Sequence, residues 1–203
     1  MSSKIEIINM ALRRLGEQPI VSLTEGSEPA NVVSDVYDLV LDNELRAWSW
    51  PFATTTQTLA QVSGETPPDF GYVFQLPASY LQVVKLIDTN TSSTIAEWDY
   101  SRRIFSVHDL EWEIREGKIY INTSALTLKY TYRQTDTEKF DPTFALAFSR
   151  RLAWEVASSI TDREDLLQAA RDEYLLYINQ ARGNSGAEAR RRLEISREYV
   201  RAR

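Results

Sequence analysis

The chain has 203 residues, 43% hydrophobic and 26% charged, with a net charge of −6; these proportions suit one sizeable globular core or two small subdomains sharing one. Zero cysteines exclude disulfides, thiolate catalysis and most zinc frameworks. "MSSKIEIINM" lacks a charged-then-apolar leader pattern and no run nears the roughly 18 apolar residues of a membrane span, so a soluble chain made in a cytoplasm is expected.

The first element reads as a helix. Ser3 and Glu6 have capping-box spacing, and Ile5, Ile8, Leu12 and Leu15 share one face until Gly16 and Pro19 stop it. Pro29 suits the first turn of a second helix, which Val33, Val36, Tyr37, Val40, Leu41, Leu45 and Trp48 continue. "LRAWSWPFATTT" then concentrates Trp48, Trp50, Pro51 and Phe52 at the handover to strand-like sequence. Pro51 disfavours helical geometry at Trp50, so the helix ends there. Large aromatics at this point suit a structural corner between two subdomains, packing both layers; a ligand-stacking site is the other reading.

Beyond Pro51 the period becomes two. Leu81, Val83 and Ile87 alternate with Gln82, Val84 and Asp88, a strand with both faces partly buried. "EWEIREGKIYI" predicts a hairpin turning at Glu116-Gly117, and "LTLKYTYR" a strand with Leu126, Leu128, Tyr130 and Tyr132 on one face. Turn signals give about five or six short antiparallel strands. Helix returns at Asp141, a good N-cap before Pro142, with Phe144, Phe148 and Leu152 four residues apart. Thr161 and Glu164 form a second capping-box candidate, opening a last helix through Leu166, Leu167, Ala170, Tyr174, Tyr177, Ile178 and Ala181. "GNSG", Gly183 to Gly186, is expected to interrupt it.

The fold class expected is α+β: N- and C-terminal helices (1–52 and 141–182) forming a helical bundle, a central antiparallel β subdomain (53–140), and an extended arginine-rich tail (183–203). From Arg182 onward there are seven arginines, no lysine and three glutamates, +4 in all, so the remaining 181 residues carry −10. Two charge zones suggest two surfaces with different partners. Ala189, Leu193, Ser196 and Val200 form a thin apolar stripe. Arginine without lysine favours planar, bidentate partners, carboxylates or phosphates, against the plainer reading of a solvated tail.

Chemistry is sparse. The chain has no G-x-G-x-x-G, Walker A or G-x-S-x-G sequence. His108, the one histidine, reads as a polar-loop residue beside Asp109 and Glu111. Asp162, Glu164 and Asp165 suit a helix start through the dipole. Loops around Trp98 and Tyr100 suit either a sugar site between facing carboxylates or exposed turns at a protein interface. No catalytic, cofactor-binding or metal-ligating residue is assigned.

Three stretches carry a resemblance: "INMALRRLGEQPIVSLTEGSEPANVVSDVYDLVLDNELRAWSWPFATTTQTLA", "YVFQLPASYLQVVKLID" and "FDPTFALAFSRRLAWEVASSIT". They lie between Ile8 and Thr161 and together resemble the podophage tail tubular protein A family of head-to-tail adaptors. Trp50-Pro51-Phe52-Ala53 looks like that family's tryptophan-x-phenylalanine-alanine corner, with Pro51 where asparagine is common. The resemblance implies a structural virion protein and no enzyme: a dodecameric ring beneath the portal protein, made in the host bacterial cytoplasm. Such a ring encloses duplex DNA without sequence-specific binding and presents its far end to a nozzle protein of the tail tubular protein B type. The helical part and C-terminal extension would engage the portal, making Arg190, Arg191, Arg192, Leu193, Arg197, Val200 and Arg201 interface candidates, while the β subdomain meets the nozzle. The alternative is a virion-associated carbohydrate-binding or glycan-degrading tail protein using the β-domain loops.

Overall fold

The structure, a computed structural model, describes residues 3–65, 67–100, 104–107 and 110–201, with residue 107 and the stretch 187–201 as backbone alone. The fold is α+β, and the chain divides into two compact units, residues 1–44 with 134–203 and residues 45–133. The sequence-drawn boundaries were 52/53 and 140/141.

The first unit is helical. Helix α1 (Lys4–Arg14) opens on the expected capping box, Ser3 and Glu6 satisfying each other's backbone N–H groups. It closes in a Schellman motif: Gly16, at φ +81°, donates to Arg13 O while Glu17 donates to Leu12 O. Asn9 then fastens the following loop, exchanging two hydrogen bonds with the backbone of buried Ile20. Helix α2 (Glu28–Arg46) ends two residues before Trp48. Helix α3 (Pro142–Ile160) has Asp141 as N-cap, its carboxylate accepting from Thr143 and Phe144 N–H. Ile7, Ile8 and Leu12 of α1, Val33 and Tyr37 of α2, and Phe144, Phe148 and Leu152 of α3 are buried, and Tyr37 meets Phe148 edge-on at 5.4 Å.

Helix α4 (Glu164–Arg201) departs from expectation twice. The Thr161–Glu164 capping box does not form: Thr161 caps the end of α3, and its hydroxyl takes the Arg163 N–H. Nor does the Gly183–Gly186 stretch break the helix, which runs through it as one 38-residue element. Glycine lowers helix stability by about 1 kcal/mol relative to alanine but blocks no hydrogen bond as proline does, and good helix formers flank the stretch.

Among its described residues the second unit contains eight strands rather than five or six. Strands β1 (Thr54–Thr58), β2 (Tyr72–Gln75), β3 (Tyr80–Asp88), β4 (Thr94–Asp99), β5 (Ile104–Val107), β6 (Trp112–Arg115), β7 (Lys118–Ile121) and β8 (Leu126–Tyr132) form two antiparallel sheets. The larger sheet has the order β1-β8-β3-β4-β5, the smaller β2-β7-β6. One apolar cluster joins them, with Val83, Leu86, Leu126 and Leu128 from the larger sheet and Phe74, Ile119 and Ile121 from the smaller. The β6–β7 hairpin turns at Glu116-Gly117, both at positive φ as a type I′ turn requires. On β3 the register shifts twice, so Val83 and Leu86, three residues apart, both enter the core.

Candidate functional site

Three clusters stand out, and the helical unit holds the first. Arg150 pairs with Glu173 at 2.7 Å, Trp154 stacks on Tyr174, and the α3–α4 joint is residues 161–163. The two helices are therefore antiparallel, with the start of α3 level with residues 182–186 of α4. At 1.5 Å per residue α4 is about 57 Å long and α3 about 28 Å. The backbone of 187–201 thus continues past the end of α3. Arg190, Arg191, Arg192, Leu193, Arg197, Val200 and Arg201 all belong to this overhang; their side chains lie outside the described residues.

Two polar networks root the helix before the overhang begins. Glu173 accepts Arg14 Nε through both carboxylate oxygens at 3.0 Å and also faces Arg150, tying α4 to α1 and α3. Glu44, only 4% exposed, accepts from the Tyr174 hydroxyl at 3.0 Å and faces Arg151 Nε at 3.4 Å. Burial pushes the Glu44 carboxyl above its ordinary value, outweighing the Tyr174 hydrogen bond and the charges of Arg151 and Arg182. Arg151 also pairs with Glu155 at 2.5 Å and lies over the Trp154 ring. Sequence reasoning missed this network. Its one local signal was an acidic residue between Leu41 and Leu45 on the apolar face of α2.

The second cluster is the aromatic corner. Trp50 is 0% exposed and extended at φ −67°, ψ 127°, as a residue before proline should be. Its carbonyl accepts from Ala53 N and from the Thr54 hydroxyl, and its ring stacks on Phe52 at 6.1 Å. Pro51 opens a single 3-10 turn, Pro51–Ala53, and the Phe52 carbonyl accepts from the Tyr132 hydroxyl. Trp48 contacts Tyr100 at 5.0 Å. With its ring fully covered, Trp50 offers no face to a ligand.

The third cluster continues from Tyr100 through Trp98, Phe105 and Trp112, each ring meeting the next at a steep angle. Gln82, its amide oriented to satisfy both neighbours, accepts the Trp98 indole N–H at 3.2 Å and donates to Arg46 O. Rings locked edge-to-face do not make a flat sugar platform. Glu97, Trp98 and Asp99 of β4 and Ser106 of β5 line a hollow of about 350 Å³. Both carboxylates come from one strand face, and Glu97 pairs with Lys85 at 3.6 Å.

Asp165 is tied to Arg163 at 2.6 Å at the start of α4. His108 and Asp109 lie outside the described residues. Among the described residues no group of three or more His, Cys, Asp or Glu is placed to hold a metal ion, and no helix is long and apolar enough to cross a membrane. No family model matches the chain, and no curated protein matches it significantly.

Proposed function

We propose that this chain is a structural virion protein, a head-to-tail adaptor whose copies form a ring, in the family arrangement a dodecamer, between the portal protein and the tail nozzle around the DNA channel. The observation that carries this reading is the helical overhang of α4. An arginine-rich segment on a continuous helix, projecting past α3 and rooted by Glu44 and Glu173, is a docking arm. The likeness of the helix and corner sequences to tail adaptors supplies the class of partner. The acidic charge of the remaining residues suits a channel wall that does not hold DNA.

Carboxylates on the portal are the favoured counterpart of the arginines, because phosphate binding would retard DNA that must slide. The experiment compares truncation after Arg182 with a variant in which Arg190, Arg191, Arg192, Arg197 and Arg201 become lysine. The reading requires truncation to abolish portal docking and the lysine variant to dock more weakly despite equal charge. Normal docking by the lysine variant, with truncation reducing only binding to free duplex DNA, would make the arm a nucleic-acid strap. The glycan reading has less support, since Glu97 and Asp99 share one strand face and do not oppose each other across a cleft.

A further inference from the structure

Sheet edges attract other strands unless charge, proline, a bulge or a covering segment protects them. In the smaller sheet, β2 is covered by residues 60–62, through the Gln61–Phe74 bridge and the Val62 N–H to Val73 O hydrogen bond. Strand β6 carries the exposed charges of Glu113 and Arg115. Strand β1, an edge of the larger sheet, has neither protection. Thr54-Thr55-Thr56-Gln57-Thr58 contains no charge, proline or glycine, pairs with β8 without a register shift, and exposes four of its five side chains.

The free backbone groups of β1 can be assigned. Leu59 N–H donates to Leu126 O, so Leu59, Gln57 and Thr55 face β8 in hydrogen-bonded pairs. The intervening pairs are the close, non-bonded kind, as the 3.1 Å approach of the Thr58 and Thr127 hydroxyls attests. The N–H and C=O of Thr54, Thr56 and Thr58 therefore point off the sheet, symmetrically about Thr56.

We propose that β1 pairs with β1 of a second copy of this chain, antiparallel about a two-fold axis at Thr56. That register matches Thr56 with its own equivalent and Thr54 with Thr58 of the other copy, giving about six hydrogen bonds; a slip of two residues leaves about four. The symmetry also selects the occupant. In a five-stranded antiparallel sheet both edge strands run the same way, so docking β1 on a neighbour's β5 with both core faces on one side of the joined sheet would insert a parallel pair, whereas the two-fold keeps the sheet antiparallel and the core faces together. Charge permits the approach: residues 45–133 hold eight basic and nine acidic side chains, net −1, against −5 for the rest of the chain. One short polar edge falls far below the roughly 1,200 Å² of a stable interface, so the pairing is weak and is read by trapping it. It concerns the free chain and does not depend on the adaptor reading.

The absence of cysteine makes the trap clean. Opposed residues of a hydrogen-bonded pair have Cα atoms about 5.5 Å apart, within disulfide reach. Thr56→Cys, at about 100 µM under mild oxidation, should form a disulfide dimer about tenfold faster than Val21→Cys, a collision control at a site 87% exposed. Thr54→Cys and Thr58→Cys should each link no faster than that control when alone, but at about half the Thr56→Cys rate when mixed in equal amounts at the same total concentration, since half of the pairings are then mixed. Circular dichroism confirms that each variant is folded. The proposal fails if Thr56→Cys only matches the control or if Thr54→Cys links to itself as fast. It also fails if Thr56→Cys links to a Ser106→Cys chain faster than to itself, which would assign the edge to a neighbour's β5.

Discussion

Replacing Gly183 and Gly186 with alanine should stiffen the joint between the rooted and projecting halves of α4. Neither glycine has positive φ, and a Cβ built at either position meets nothing within 4 Å, so the substitution adds helix propensity without a clash. Each change is worth about 0.8–1.0 kcal/mol, and the pair about 2 kcal/mol. That shifts the helix–coil balance of this turn roughly 30-fold, at 1.36 kcal/mol per decade. Limited trypsin digestion reads the shift, because cleavage at Arg190, Arg191 or Arg192 requires the helix to open locally and its rate tracks the opened population. The double variant should be cut there about 30-fold more slowly at fixed trypsin, with global stability nearly unchanged. An unchanged cleavage rate would refute the argument, since helix propensity at the joint would then not control access to the arm.

Other expectations follow from the buried networks and the corner. Glu173→Ala leaves Arg14 and Arg150 without their shared acceptor; because the carboxylate is partly exposed, the discounted cost is about 1–3 kcal/mol in urea melts, and a loss under about 0.5 kcal/mol would mean the clamp is solvated. Trp50→Ala should cost about 3–5 kcal/mol, judged by the same melts, given its complete burial. Burial raises the Glu44 carboxyl above 4.5, so its ionised form opposes folding at neutral pH, and that cost is relieved as pH falls through the folded-state value. Wild type should therefore gain stability relative to Glu44→Gln as pH falls from neutrality toward the ordinary carboxyl range; a loss on that descent would show that pairing with Arg151 outweighs desolvation.

Most of what the sequence disclosed depends on near neighbours, although the equally local Thr161–Glu164 pair formed no capping box because Thr161 ends α3 instead. Ser3 with Glu6, Asp141 with Pro142, and Glu116 with Gly117 each settle a boundary within four residues, and each took the predicted form. Strand β8 was legible because Leu126, Leu128 and Tyr130 alternate against one core. Strand β1 was not, because an exposed edge strand of threonines buries neither face and leaves no hydrophobic period. Alternation misled on β3, where the register shifts bring Val83 and Leu86 to the same side. At Gly183–Gly186 a propensity penalty was mistaken for a stop. Glu44 and Tyr174 meet across 130 residues of chain, a separation at which local spacing carries no information.

The β unit interrupts the helical unit between α2 and α3, and its first and last strands, β1 and β8, are hydrogen-bonded neighbours, so the chain leaves the insert beside its point of entry. This sets a timetable for synthesis. Helices α1 and α2 emerge first with the apolar faces of Ile7, Ile8, Leu12, Val33 and Tyr37 uncovered, and the residues that cover them begin at Phe144. At about 5–20 residues per second, the roughly 100 residues between Arg46 and Phe144 keep those faces waiting for about 5–20 s. Meanwhile every strand-pairing partner of the insert is already present once Tyr132 has emerged, so the β unit can be complete while the helical unit still waits for α3 and α4.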